Sequence, residues 1–152
     1  MKNKIESISI LMADDDQDDC LLVKNAFAAN RIANSLHFVE DGEELMDYLY
    51  RRGNYSDIAA FPLPALILLD LNMPKKDGRE ALREIKADPN LRSIPVIILT
   101  TSEREEEIFR SYDMGANSFI TKPVTFQGLV EAMKALSRYW FEIVELPSRR
   151  EE

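Results

Sequence analysis

One cysteine, Cys20, in 152 residues excludes an internal disulfide and a Cys-x-x-Cys metal site, and fits a reducing compartment. It reads as a small residue on a helix. One histidine, His37, leaves no His-based metal cluster, and its place in a strand-like stretch marks it as structural rather than as a phosphohistidine or ligand. Five glycines and seven prolines are too few for a collagenous or low-complexity chain. Positive charge is in deficit, 19 Lys and Arg against 27 Asp and Glu, a net charge of -8. Phosphate backbones would repel such a molecule, so no nucleic-acid partner is expected. Apolar runs such as Ala65 to Leu69 stop far short of the roughly 20 residues that span a bilayer. The stretch Ile8 to Ala13 is too short for a signal peptide and runs straight into acids. No membrane segment is expected, and the location is read as cytoplasmic.

What is present is an alternation. Short β-branched runs recur with amphipathic segments between them, which favours a parallel sheet covered by helices on both faces. Strands are expected at Ser7 to Ala13, Leu36 to Val39, Ala65 to Asp70, Pro95 to Thr100 and Ser118 to Thr121. Helices are expected at Asp18 to Ala29, Glu43 to Arg51, Gly78 to Ala87, Glu103 to Met114 and from Thr125 to about Val144. Leu21, Leu22, Asn25, Ala26 and Ala29 have the spacing of an inward helical stripe, as do Ala81, Leu82, Ile85 and Lys86, with the lysine at its edge. Met12, Met46 and Met133 sit at core-like spacing. Right-handed crossovers make such a chain an α/β fold, a five-stranded doubly wound parallel sheet, (βα)5 and flavodoxin-like, in the order 2-1-3-4-5, with its crevice at the carboxyl ends of strands 1 and 3. The long connection Arg52 to Pro64 is either a binding loop or a tolerated insertion.

Strand 1 runs into Asp14, Asp15 and Asp16, and strand 3 into Asp70, so this order gathers carboxylates from distant parts of the chain. Ionised carboxylates within about 5 Å are tolerated only if one takes a proton or a divalent cation sits among them. Hard oxygen donors with positions left for water and phosphate favour Mg²⁺ over zinc or copper. An isolated acidic triplet has a plainer use, solvating a loop and capping the first helix. Two more strand ends argue for a site: Thr100 and Thr101 close strand 4, while Lys122 and Pro123 close strand 5. A lysine there offsets carboxylate charge and holds a phosphoryl oxygen, and a threonine hydroxyl donates to another.

Over about residues 8 to 138 the sequence resembles the receiver domains of two-component response regulators. The matching stretches are Ile10-Leu11-Met12-Ala13-Asp14-Asp15, Leu68 to Gly78, Pro95 to Thr101 and Gly115 to Pro123. The resemblance implies that Asp70 accepts a phosphoryl group from a phosphohistidine on a sensor histidine kinase. Asp15 and Asp70 would ligate Mg²⁺ directly, Asp14 through water, and Asn72 through its main-chain carbonyl. Lys122 would pair with the acceptor and then with the phosphoryl group. Thr100 would turn its hydroxyl to that group, with Phe119 as the aromatic switch, and Lys122-Pro123 would fit the family's cis peptide. Such a protein takes part in its own Mg-dependent phosphorylation and dephosphorylation without being an enzyme in the ordinary sense.

The resemblance has departures. Many receivers carry an aromatic residue after Lys-Pro where this chain has Val124, which puts partner identity in question. The long loop and the continuation Tyr139 to Pro147 look like the stand-alone receivers associated with phytochrome-type histidine kinases. Residues 1–146 are expected to form one receiver domain with an extended C-terminal helix, and 147–152 a charged tail. With no output domain expected after residue 152, the protein would act by docking or by passing phosphate onward. Tyr139, Phe141, Ile143, Val144 and Leu146 add apolar surface beyond the helix's core stripe, which suggests a homodimer through the helix and its extension. The plainer alternative is that they fold back onto Tyr55, Ile58 and Phe61.

Three rivals share parts of this pattern. A phosphatase of the dehalogenase type needs a second acid two residues after its aspartate, and here that position is Asn72, which cannot exchange protons. A flavin-binding electron carrier needs a Ser/Thr/Gly-rich phosphate loop where this chain has Asp14 to Asp19. A degenerate receiver that only binds would lack some of the acceptor, metal acids, hydroxyl and lysine, all of which are here.

Overall fold

Unbroken apolar runs fold as buried strands because a parallel sheet sandwiched by helices has no wet face. The structure is a computed structural model that describes residues 9–29, 35–71, 73–100, 115, 118–121, 127–128, 131 and 134–135. Its elements are β1 (Ser9–Ala13), α1 (Gln17–Ala29), β2 (Ser35–Val39), α2 (Gly42–Tyr50), β3 (Leu66–Leu69), α3 (Gly78–Ala87), β4 (Val96–Thr100) and β5 (Ser118–Thr121). All strand pairs are parallel, in the order β2-β1-β3-β4-β5. This is the expected doubly wound order, and each described element lies within two residues of its expected bounds. The helix expected at 103–114 and the body of the last helix lie outside the described residues, as do Met133 and the C-terminal extension; 127–128, 131 and 134–135 are helical.

The centre of the sheet is β3, whose four residues are all buried. Leu11, Ala13, Ile67, Leu69, Val96 and Ile98 pack in one core with Leu45, Met46 and Leu49 of α2 and Ala81, Leu82 and Ile85 of α3. Ile10, Met12, Leu66 and Leu68 alternate with them toward the opposite face and are buried as well. The α3 stripe matches the expectation down to Lys86, whose stem lies at the edge while its ammonium donates to the carbonyls of Arg92 (3.0 Å) and Ile94 (2.9 Å). Burial pushes the Lys86 pKa down.

Helix α1 corrects the expectation. Among its described side chains Val23, Ala26 and Phe27 are buried, Ala26 as expected, whereas Leu21 is 56% exposed and Asn25 is exposed too; the side chain of Ala29 lies outside the description. Two overlapping i, i+3, i+4 sets run along this helix, and the one carrying the ring of Phe27 buries more apolar area than the one carrying Asn25.

The long connection is an ordered part of the core rim. A short 3₁₀ turn (Gly53–Tyr55) opens it, and Tyr55, Phe61 and Leu63 pack against the central cluster. The Tyr48 ring meets Tyr55 at 5.1 Å and Phe61 at 5.9 Å between centroids, and His37 lies 6.0 Å from Tyr48 and 6.2 Å from Phe61. The Tyr48 hydroxyl donates to the Pro62 carbonyl at 2.9 Å, and burial raises its pKa to about 12. His37 is a packing residue here, with burial lowering its pKa. Of the loop residues expected as a fold-back platform, Tyr55 and Phe61 are engaged with this aromatic cluster and Ile58 stands 57% exposed.

Candidate functional site

The register of the sheet brings the acids together. Ala13 and Leu69 are partners across β1 and β3, so the residues that follow them, Asp14 and Asp70, leave the sheet side by side. Their backbones are held there: Asp14 N–H donates to the Val39 carbonyl at 3.0 Å, and Asp70 N–H to the Ala13 carbonyl at 2.9 Å. Asp14 is 1% exposed and Asp70 8% exposed, while Asp15 is open to solvent. One carboxylate oxygen from each of Asp14, Asp15 and Asp70 lies within 4.8 Å of the others.

The acidic triplet divides its labour. The Asp16 carboxylate accepts from the N–H groups of Asp18 (2.9 Å) and Asp19 (3.3 Å), which caps α1. Asp14 Oδ1 accepts from the Asp16 N–H at 2.9 Å, which orients that carboxylate. Capping and carboxylate clustering, which compete as readings of the sequence, both occur, in different members of the triplet.

Three carboxylates at this spacing repel one another, and two of them are withdrawn from water. A hard divalent cation fits the donor set: oxygen ligands alone, no imidazole or thiolate, and one member exposed to solvent.

Beyond β3 the chain comes back against the Asp70 and Leu71 backbone at the start of α3. Gly78 opens α3 so close to β3 that a Cβ on it would stand 2.4 Å from the Asp70 carbonyl oxygen. Its N–H donates to the Leu71 carbonyl at 3.0 Å, and Asp77 caps the helix by accepting from the Arg79 N–H at 2.7 Å. In the same connection Lys75 adopts the left-handed conformation, φ 65, and reaches Asp41 at 3.7 Å. Lys76 pairs with Glu84, and Arg79 with Asp77 at 3.2 Å.

Of the sequence-expected site residues, the structure brings Asp14, Asp15 and Asp70 together. Asn72 and Lys122 lie outside the described residues, as does the Lys122-Pro123 bond. For Thr100 and Phe119 the description extends to the strand backbone: Thr100 aligns with Thr121, and Phe119 with Ile98 on the adjoining strand. The sequence reading passed over the α2 cap, in which Asp41 accepts from the Glu44 N–H at 2.7 Å and Glu44 accepts from the Glu40 N–H at 2.7 Å. Its D-x-x-E spacing before an apolar run is a legible signal.

Comparison with known proteins agrees with this arrangement. The model of the response regulator receiver domain family matches residues 10–134. Response regulator Rcp1 of Synechocystis sp. is 40% identical over 139 residues, covering 91% of this chain and 92% of its own. The crystal structure of the phosphorylated cyanobacterial phytochrome response regulator RcpA is 42% identical, covers 93% of this chain and 99% of that one, and has a TM-score of 0.87. That of the Mn²⁺-bound form of Rcp1 is 39% identical, with the same coverage and a TM-score of 0.84.

Proposed function

The chain belongs to the response regulator receiver domain family, and from that premise we propose that Asp70 accepts a phosphoryl group from a phosphohistidine of a sensor histidine kinase. The observation that carries this reading is the meeting of Asp14, Asp15 and Asp70 at the carboxyl ends of β1 and β3. An Asp70 oxygen attacks phosphorus, the P–N bond to the donor imidazole breaks, and its electron pair returns to the nitrogen. The product is an aspartyl phosphate. Asp14, Asp15 and Asp70, with the Asn72 carbonyl, would hold Mg²⁺, which when bound neutralises charge between acceptor and phosphoryl oxygens. The likeness to the family assigns Asp70 as the nucleophile among these residues; it follows the central strand β3, and its backbone N–H is pinned to β1.

Lys122 is assigned to the phosphoryl oxygens, and Thr100 with Phe119 to the switch that reads them. The strand register supports this assignment, since Thr121, the partner of Thr100, lies two residues beyond Phe119 and directly before Lys122. The likeness to phytochrome response regulators supports a phytochrome-type kinase as donor. No described helix is long and apolar enough to cross a membrane. We assign the protein to the cytoplasm, with no nucleic-acid partner, as one receiver domain over 1–146 with a charged tail at 147–152, signalling through protein contacts.

The test is to incubate the full chain with Mg²⁺ and acetyl phosphate and weigh it intact. An adduct of about 80 Da is expected, lost in excess chelator and formed more slowly in Asp15→Ala, which lacks one metal ligand. Full-rate labelling in chelator would refute the metal's role, and no labelling under any condition would refute the acceptor.

The C-terminal extension is proposed to build a twofold dimer suited to a dimeric kinase. Ending the chain after Arg138 should then give a folded monomer by sedimentation. A full-length chain that is monomeric at high micromolar concentration, phosphorylated or not, would exclude the dimer.

A further inference from the structure

A continuous line of polar contacts joins the long loop to the connection that follows the acceptor. The Tyr55 hydroxyl, at the end of the 3₁₀ turn, donates to Glu44 Oε2. The other oxygen of that carboxylate takes the Glu40 N–H, and the Glu44 N–H donates to Asp41 Oδ1. Asp41 Oδ2 faces the Lys75 ammonium at 3.7 Å, with the Asp41 side chain 14% exposed. Lys75 stands five residues after Asp70 in a left-handed backbone conformation that a lysine adopts only when its surroundings impose it.

Hard contact runs beside this polar line. A Cβ on Gly42 would lie 1.9 Å from the Lys76 carbonyl oxygen, so the start of α2 and the connection touch backbone to backbone. At the other end of the connection Gly78 touches the Asp70 carbonyl in the same way. The segment 75–78 is thus confined between α2 on one side and the acceptor residue itself on the other. A close-packed segment of this kind passes a shift at one end to the other instead of absorbing it.

We propose that Tyr55, Glu44, Asp41 and Lys75 form a brace by which the long loop sets the position of the acceptor connection, making Tyr55 and Lys75 positioning residues for phosphoryl transfer. The brace rests on the reading of Asp70 as acceptor and assigns the loop at 52–64 a use beyond packing. Its ends differ in exposure: Tyr55 is half-buried among aromatic rings, and Lys75 is open to solvent.

A pair whose lysine stands largely in solvent, such as Lys75 with Asp41, adds little to stability, so chemistry that changes while the melting temperature does not separates positioning from mere structure. The experiment is a double-mutant cycle in the full chain, Tyr55→Phe against Lys75→Met, with acetyl phosphate and saturating Mg²⁺, read as the rate of the adduct at Asp70 by intact mass. Each variant should label about three- to tenfold more slowly, the double variant no slower than the worse single one, and Lys75→Arg should restore the rate. Melting temperatures should stay within about 2 °C of the parent. Unchanged rates, effects that simply multiply, or losses that track the unfolded fraction would overturn the brace. Failure of the unmutated chain to label at all would overturn the acceptor reading, and the brace with it.

Discussion

Asp70→Asn is expected to abolish the phosphoryl adduct entirely while leaving the protein folded. Asparagine keeps the shape of the side chain but replaces the anionic oxygen proposed to attack phosphorus with an amide, which is no nucleophile toward it. The backbone bond from residue 70 to the Ala13 carbonyl does not involve the side chain and survives the change. Removing one of three carboxylates that lie within 4.8 Å of one another also relieves repulsion. At that spacing the relief is on the order of 1 kcal/mol in metal-free buffer. The variant should therefore melt no lower than the parent without Mg²⁺, and should lose part of the stabilisation that Mg²⁺ gives the parent. Mass spectrometry after acetyl phosphate and thermal melts with and without Mg²⁺ check both halves. An adduct of unchanged stoichiometry on the variant would move the acceptor elsewhere.

Leu69→Ala should have the largest effect on stability of any change near the site. Leu69 is fully buried on the central strand, beside Ala13 of β1 and Ile98 of β4, immediately before Asp70. Its removal leaves a cavity that flanking strands cannot close, because both are held in register by their own ladders. Leucine-to-alanine changes at such sites cost about 2–5 kcal/mol, which for a chain of this size lowers the melting temperature by roughly 5–15 °C. Leu21→Ala is the matched control. That side chain is 56% exposed, and its loss should stay within about 0.5 kcal/mol. Equal destabilisation by the two changes would mean that α1 packs with the face first read from its sequence, and that the observed rotation of the helix is wrong.

The sequence alone determined the alternation of strands and helices, the parallel sheet and its order, and the two strand ends where the carboxylates meet. Those follow from short-range rules: apolar runs must be covered on both faces, crossovers are right-handed, and ligands collect where the winding reverses. The meeting of Asp14, Asp15 and Asp70 was legible because it depends on register, and register is dictated by which runs are buried. What the tertiary structure decided was the choice among local patterns of equal merit. Leu21 and Phe27 both belong to helical stripes, and only the volume offered by the sheet selects the second. Asp16 and Asp14 are the same residue type two positions apart, and only the direction in which the chain leaves β1 makes one a cap and the other a member of the carboxylate cluster. The long loop read equally well as a binding loop or an insertion; its aromatic contacts, and the line from Tyr55 through Asp41 to Lys75, exist because α2 brings residues far apart in the chain within reach of one another, a proximity that no local pattern encodes.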